Sequence, residues 1–504
     1  MSLPAWLVPL PDAQHMRATD AWAIEQRGVP SLELMERAGT GLANLAVELA
    51  PSGPIVVVAG KGNNGGDGLV AARLLRDGGR EVDVLFAGEP EGLTADAQAN
   101  LERLPGPAPE ALMGELRDDA ALVIDALLGT GATGEPRGAI GEAIDRINAS
   151  GAPVLAADAP SGVDASTGTV ARRAVTARAT ATFHSAKPGL WIEPGRACAG
   201  SVHVIDIGIP TGAPVEADVG LIRDSLLDEL PRRRVGSTKF TSGEVLVAGG
   251  SPGLTGAPSM AALAAQRAGA GYVTACIPQS LSLIFEARLL EVMTIALPDD
   301  DGRLVPDGLQ RLLEAAERAG ALVLGPGIGR SEGALRFVRD AITRAALPIV
   351  LDADGLSAYN GEITAVAQRG GVPLVITPHE GELGRLLGVP SSEVAAERLR
   401  HAREAARLAA AIVVLKGDDT LITHPAGTVA VSPGATPALA TAGTGDVLSG
   451  VVGALLAAGC EPFLAAAAAV RLHALAGIRA AERRGRDGMI ASDVIDELAT
   501  VRTR

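Results

Sequence analysis

Eight short apolar runs along this chain each open, within a few residues, into a loop bearing glycine, aspartate or histidine. They cover residues 55–59, 122–124, 154–157, 245–248, 322–324, 349–351, 375–376 and 412–415. A run apolar at every position, not at alternate ones, belongs to a strand covered on both faces, as in a parallel sheet. Helical sequence between the runs supplies the covering layers and the right-handed crossovers. In such sheets the loops at the carboxyl ends of the strands gather along one edge and hold the ligand. The fold class expected is therefore α/β. The 504 residues exceed one ordinary core, so two domains are expected, over 1–220 and 226–504. The boundary is set near residue 225, after a last strand of the first half at 202–207.

Composition narrows the function. Hydrophobic residues make up 47% and charged residues 20%, which is globular. A formal net charge of −15 argues against sequence-independent nucleic-acid binding. Cys198, Cys276 and Cys460 are far apart and form no C-x-x-C, so neither a disulfide framework nor a zinc site is indicated. The apolar start (Trp6, Leu7, Val8) is broken by Pro4, Pro9 and Pro11 and lacks a basic leader region. The alanine-rich run at 464–470 is too short to cross a bilayer. A cytoplasmic enzyme with no membrane partner is expected. Only four of the 44 basic residues are lysine: Lys61, Lys187, Lys239 and Lys416. Codon bias alone produces such scarcity, yet three of them sit in or beside glycine-rich motifs, so all four are site candidates.

In the first half, the strand at 55–59 ends in Gly60-Lys61-Gly62-Asn63-Asn64-Gly65-Gly66-Asp67-Gly68, and a helix is expected over 69–76. The loop is neither a dinucleotide fingerprint nor a P-loop, and its asparagine pair suits a cation and a polar ligand. Asp125 and Asp158 end the next two strands. Asn64, Asp125 and Ser161 could supply oxygen ligands to a monovalent cation, and Asp158 could be an acid/base group. Taken singly, each also reads as an N-cap or turn residue.

These motifs, G-N-N-G-G-D-G, D-A-L-L-G-T-G before Pro136-Arg137-Gly138, and D-A-P-S-G-V-D, resemble the NAD(P)H-hydrate epimerase family from about Met16 to about Pro214. The resemblance implies a Rossmann-like domain that interconverts the R and S epimers of hydrated NADH and NADPH. It implies contacts to the hydrate from Asn63, Asn64, Gly65, Gly66, Asp67, Gly129, Thr130, Gly131, Ala132, Thr133, Gly134, Glu135 and Asp158. Potassium would be held by Asn64, Asp125 and Ser161. The family also carries a lysine at Lys187, whose role stays open.

In the second half, Thr441-Ala442-Gly443-Thr444-Gly445-Asp446 opens a small-residue helix. Glycines and a helix N-terminus make a cradle for a phosphoryl group in transit. An Asp there is badly sited to hold an anion and well sited to take a proton from an attacking hydroxyl. Ala257, in the loop after residue 248, leaves room for a flat ring. His379 lies between T-P and two acids at a strand end. Lys416 and its turn lie where a nucleotide could rest. Asp352 and Asp354 are candidates for holding Mg²⁺ indirectly.

In this order G-S-P-G-L-T-G-A, G-P-G-I-G, D-A-D-G-L, T-P-H-E-G-E, L-K-G and A-G-T-G-D-V-L-S-G resemble the ADP- or ATP-dependent NAD(P)H-hydrate dehydratase family. The resemblance implies a ribokinase-like fold. Ala257, Gly327, His379 and Asp446 would contact the hydrate. Lys416, Gly417, Asp418, Asp419, Thr420 and Gly445 would bind the adenine nucleotide. One departure is visible: Thr238 precedes Lys239 where the family often has His. The expected whole is a bifunctional repair enzyme that uses potassium, magnesium and ADP or ATP and works as a homo-oligomer, with a tetramer as the working number. The rival is a ribokinase-like vitamin kinase fused to a non-catalytic nucleotide-binding module.

Overall fold

The structure, a computed structural model, describes residues 3–88, 92–213, 217–239 and 242–502. Pro214, where the first resemblance ends, lies outside them. The chain divides into two compact units: Pro9–Gly220 makes up most of the first, and Leu221–Arg504 with Pro4–Val8 makes up the second.

The first unit holds a seven-stranded sheet, all parallel. Its spatial order is Glu110–Ala111, Val82–Phe86, Ile55–Ala59, Leu122–Ala126, Val154–Ala157, Ala179–Phe183, Ser201–Ile205. The central strand shows why its run is apolar throughout. Ile55, Val57 and Ala59 join one core cluster, with the helices Ser31–Leu49 and Asn63–Asp77. Val56 and Val58 join another, with Ile144 and Ile147 of the helix Gly138–Ala149. The chain leaves Ile55–Ala59 to one side and returns to its other side as Leu122–Ala126, so strand order reverses between these two.

The loop expected at 60–68 is shorter than the motif. The helix begins at Asn63, capped by Gly62, so Asn63, Asn64 and Asp67 stand in its first turns. A Cβ on Gly65 would lie 2.0 Å from the Gly60 carbonyl oxygen, and one on Gly66 would lie 2.6 Å from the Met35 sulfur. These glycines serve less for loop flexibility than to let a helix pack against its own approach.

The second unit holds an eleven-stranded sheet. Its parallel part runs Met293–Leu297, Tyr272–Pro278, Glu244–Ala248, Ala321–Leu324, Ile349–Leu351, Leu374–Ile376, Ile412–Leu415. Antiparallel Leu421–Thr423 and Val429–Val431 follow, and the sheet ends in the short strands Val219–Ile222 and Leu7–Pro9. Trp6 is buried with its ring 5.6 Å from that of Phe463, so the apolar start of the chain serves as core for the second unit. Strand order reverses between Glu244–Ala248 and Ala321–Leu324. The helix Thr444–Ala457 packs on Gly256–Arg267 and on Pro462–Arg484. A Cβ on Gly450 would lie 2.1 Å from the Ala261 carbonyl oxygen, so glycine is needed for that approach. Pro462–Arg484 is long and apolar enough to cross a membrane, longer than the run at 464–470 suggested, and 67% of its most apolar window is buried within the protein.

Candidate active sites

In the first unit a cleft of about 760 Å³ opens where strand order reverses. Asn63, Asn64, Asp67, Gly129, Thr130, Gly131, Ala132 and Asp158 line it, with Lys61 and Lys187. Thr133, Gly134 and Glu135 line an adjoining hollow of about 270 Å³. Gly65 and Gly66 line neither.

Asp158 ends the strand Val154–Ala157 with φ +65°, a backbone state that costs a non-glycine residue energy and recurs at functional sites. Its Oδ1 accepts from Lys187 Nζ at 2.5 Å. Its Oδ2 accepts from the Thr130 backbone N–H at 3.0 Å and from the Thr130 hydroxyl. Lys187 is 1% exposed and also donates to Thr182 Oγ1 at 2.8 Å and to the Phe183 carbonyl at 3.1 Å. Burial works against the charge on Asp158, but the Lys187 ammonium and the hydrogen bonds from Lys187 and Thr130 outweigh it, and its pKa falls below the usual carboxylate value. Asp67 moves the other way: burial, then the charges of Asp158 and Asp20, push it well up. Asp20, on the helix Ala13–Glu25, lines the same cleft and is pushed up to about 6 by burial and by Asp158. Sequence reasoning missed Asp20, because one acid in an amphipathic helix carries no local signal.

Beside the cleft, the fully buried Asp125 accepts from the Ser161 hydroxyl at 2.6 Å, the Ser161 N–H at 2.8 Å and the Leu127 N–H at 3.2 Å. Burial pushes its carboxyl up to about 6. Asn64 donates its amide to the Leu128 carbonyl at 2.9 Å, which leaves Asn64 Oδ1 buried without a partner. A buried orphan oxygen beside a buried carboxylate, a hydroxyl and a carbonyl is an all-oxygen donor set of one negative charge. That chemistry fits a potassium ion.

In the second unit the reversal brings together Gly327, in the loop after Ala321–Leu324, and Ala257, which stands in the first turn of the helix Gly256–Arg267 and not in a loop. Gly327 has φ +64°, and a Cβ on it would lie 2.4 Å from the Leu254 carbonyl oxygen and 3.3 Å from Ala257 Cβ. Asp446 is the third residue of the helix Thr444–Ala457, whose N-cap Gly443 (φ 92°) provides no capping side chain. The first-turn N–H groups therefore stay open toward a ligand. The Asp446 carboxyl is pushed up to about 7, by burial first, then by Asp352, Asp354 and Glu382, against the pull of Lys416. Lys416 bridges this group: its Nζ lies 3.1 Å from Asp352 and 3.6 Å from Glu382. Burial opposes its charge, but those carboxylates outweigh burial and raise its pKa. His379 caps the helix Glu380–Leu387, its Nδ1 accepting from Gly381 N–H at 2.9 Å, so Nε2 carries the proton on a side chain 55% exposed.

Lys416, Gly417, Asp418, Thr420 and Gly445 line a pocket of about 280 Å³, closed on its apolar side by Pro437, Leu439 and Val470. Asp419 does not line it. Asp419 is 1% exposed and paired with Arg398, itself 1% exposed and bonded to Glu380 at 2.5 Å, so it braces the turn. His473 lines the pocket; burial pushes it down to about 4, and its Nε2 is buried with no partner. Nothing local in the sequence separates it from a core histidine. Lys239 lies over the Tyr272 ring at 5.2 Å and lines neither the cleft nor this pocket. Asp352 is held by Lys416 and by the Ser449 hydroxyl, and Asp354 by Arg330 at 2.8 Å and the Gly329 N–H at 3.3 Å. Among the described residues no cluster of three His, Cys, Asp or Glu side chains is arranged to hold a metal ion.

Fold and sites define a two-unit α/β protein with a polar cleft in one unit and an uncapped helix N-terminus beside a pocket of about 280 Å³ in the other. The family model described as NAD(P)H-hydrate dehydratase matches residues 245–500, and that of the YjeF-related protein N-terminus matches residues 31–189. The chain is 39% identical to the bifunctional NAD(P)H-hydrate repair enzyme of Moorella thermoacetica, over 97% of this chain and 96% of that one. It is 40% identical to the enzyme of the same name from Salinibacter ruber, over 98% and 96%. The chain belongs to the family of bifunctional NAD(P)H-hydrate repair enzymes. Among solved structures, the ADP/ATP-dependent NAD(P)H-hydrate dehydratase of Bacillus subtilis, co-crystallised with ATP and Mg²⁺, is 29% identical over 55% of this chain and 94% of that one, with a TM-score of 0.47. The match over nearly the full length leaves the vitamin-kinase rival without support, since both halves match together.

Proposed function

We propose that the chain repairs hydrated nicotinamide nucleotides in the cytoplasm. The first unit interconverts the R and S epimers of hydrated NADH and NADPH. The second dehydrates the S form at the expense of ADP or ATP and releases AMP or ADP with phosphate. The hydrate carries a hydroxyl on the ring carbon next to the nitrogen, and hydroxide is a poor leaving group. In this reading the second unit phosphorylates that oxygen, and the ring nitrogen's lone pair then expels phosphate.

Asp446 takes the proton from the hydroxyl as it attacks the terminal phosphoryl group. The open N–H groups of Thr444 and Gly445 receive that group. Lys416 holds phosphate charge, the turn 417–420 and the pocket seat the nucleotide, and Ala257, Gly327 and the Nε2–H of His379 position the hydrate. Magnesium on the phosphates would neutralise charge there. In the first unit Asn64, Asp125 and Ser161 would hold potassium, which would supply positive charge beside the cleft, and Asp158 stays ionised against the hydrate.

The observation that carries the reading is Asp446 itself: a carboxyl poised near neutral pH on an uncapped helix N-terminus, beside a lysine and a nucleotide-sized pocket. Dihydronicotinamide absorbance tests it, starting from a mixture of hydrate epimers with Mg²⁺, potassium and either ADP or ATP. Full recovery with release of phosphate is expected. Partial recovery would remove the epimerase, and no recovery with either nucleotide would overturn the proposal.

A further inference from the structure

Epimerising a carbon that bears a hydroxyl beside nitrogen takes two proton transfers: one to the departing oxygen, one from the incoming water. Asp158 is poorly placed to do both. Both its oxygens are engaged, by Lys187 and by Thr130. A second group is available. The helix Ala13–Glu25 turns Met16, Arg17, Asp20 and Ile24 toward the cleft, at the spacing of one helical face. Among the described residues none hydrogen-bonds the Asp20 carboxyl, which is half-buried and lies close enough to Asp158 and Lys187 to feel both charges.

We propose that Asp20 is a catalytic residue of the epimerase, the proton-transfer partner of Asp158 across the bound hydrate. The inference rests on the epimerase reading above. In one direction the Asp20 carboxyl gives its proton to the hydroxyl oxygen. The C–O bond breaks, its electron pair stays with the oxygen, and water leaves while the ring nitrogen's lone pair forms a C=N bond. A second water then adds from the other face. Its oxygen forms the new C–O bond, the C=N pair returns to nitrogen, and the released proton passes to Asp158. Water in the cleft returns that proton to Asp20, so nothing is oxidised or reduced. The two carboxyls exchange roles in reverse. Their environments suit the division. Expelling water from carbon needs an acid that is still protonated near neutral pH, and Asp20, raised to about 6, is the better supplied. Adding water to a C=N cation needs only a weak base, which Asp158 is. The charged groups around Asp20 are Arg17 on its own helix, Lys61 in the loop, Asp67 and Asp96 on the following helices, and Asp158 with Lys187 at the strand ends.

The test uses the full chain and a hydrate preparation enriched in the R epimer, with the epimer ratio followed by chromatography without nucleotide. Asp20→Asn is expected to lower the interconversion rate ~100-fold with KM within about threefold of the parent. The parent's rate falls as pH rises above about 6, where Asp20 loses its proton, and Asp20→Asn lacks that fall. Asp20→Glu restores part of the rate. The S-specific dehydration in the second unit stays at the parental rate, and the melting transition that added nucleotide does not shift, that of the first unit, is not lowered and reports that the variants fold. In water labelled with ¹⁸O, each inversion introduces one label. A rate within threefold in Asp20→Asn, a high-pH fall that persists in it, or inversion without label would overturn the inference. A parent chain that dehydrates the S form but never interconverts the epimers would instead overturn the epimerase reading.

Discussion

The site at Asp446 should weaken the fold that carries it. Its carboxyl is raised from 3.8 to about 7. A carboxyl raised in the folded state contributes stability that is fully present below pH 3.8, where both states are protonated. That stability is lost as pH rises toward 7 and is gone above it. Between pH 5 and pH 8 the loss works out at about 2.6 kcal/mol, at about 1.36 kcal/mol per pH step of one. Asp446→Asn cannot ionise and escapes it. For a domain of this size 1 kcal/mol moves a melting midpoint by about 2 °C, so the gap between variant and parent should widen by about 5 °C from pH 5 to pH 8. Differential scanning calorimetry of the ligand-free chain reads this on the transition that added nucleotide shifts upward, which identifies the second unit. A gap equal at both pH values would refute the reasoning: Asp446 would then be an ordinary exposed carboxylate, already ionised at pH 5. Gained stability with lost turnover is the usual mark of a strained catalytic group.

In the same variant, dehydration of the S epimer should fall at least ~100-fold while epimerisation is untouched, and an active Asp446→Asn enzyme would remove the base from the mechanism. Parental dehydration should rise with pH through about 7 as Asp446 deprotonates, seen in a kcat–pH profile. Asn64→Ala removes the orphaned oxygen, so epimerisation should lose its response when potassium replaces sodium. Lys416→Met leaves Asp352, 1% exposed, without its cation; we expect a loss of roughly 3 kcal/mol in urea unfolding of the second unit and no measurable nucleotide binding by calorimetry. Gly327→Ala forces a side chain into φ +64° and against the Leu254 carbonyl, and should raise KM for the hydrate several-fold with a lower melting point.

The junctions are legible in the sequence because they are local. A run such as 55–59, apolar at every position, has to be covered on both faces, and the two core clusters that share its residues do this. A glycine or acid right after such a run lands at the sheet's carboxyl edge whatever the rest of the chain does. That rule alone puts Asp125 and Asp158 at the strand ends and the glycines beside Lys61 and Lys416 just past two others, and the glycines before Asp446 mark its helix start in the same local way. What depends on distant partners is not legible. The motif after residue 59 is the opening of a helix, because Gly65 and Gly66 fit against Gly60 and Met35. Asp419 looks in sequence like its neighbour Asp418, yet only Asp418 lines the pocket, since Arg398 from another helix claims Asp419. The apolar start of the chain carries no mark of where it packs, and Trp6 joins the core of the second unit, not the first. Lys187 and Asp20 lie 167 residues apart and acquire meaning only through Asp158 between them in charge. Periodicity and junction chemistry are properties of short stretches, so the order of residues is enough to set the sheets and the loops that edge them. Burial, pairing and protonation depend on what the fold brings within a few ångströms, and those follow from tertiary packing alone.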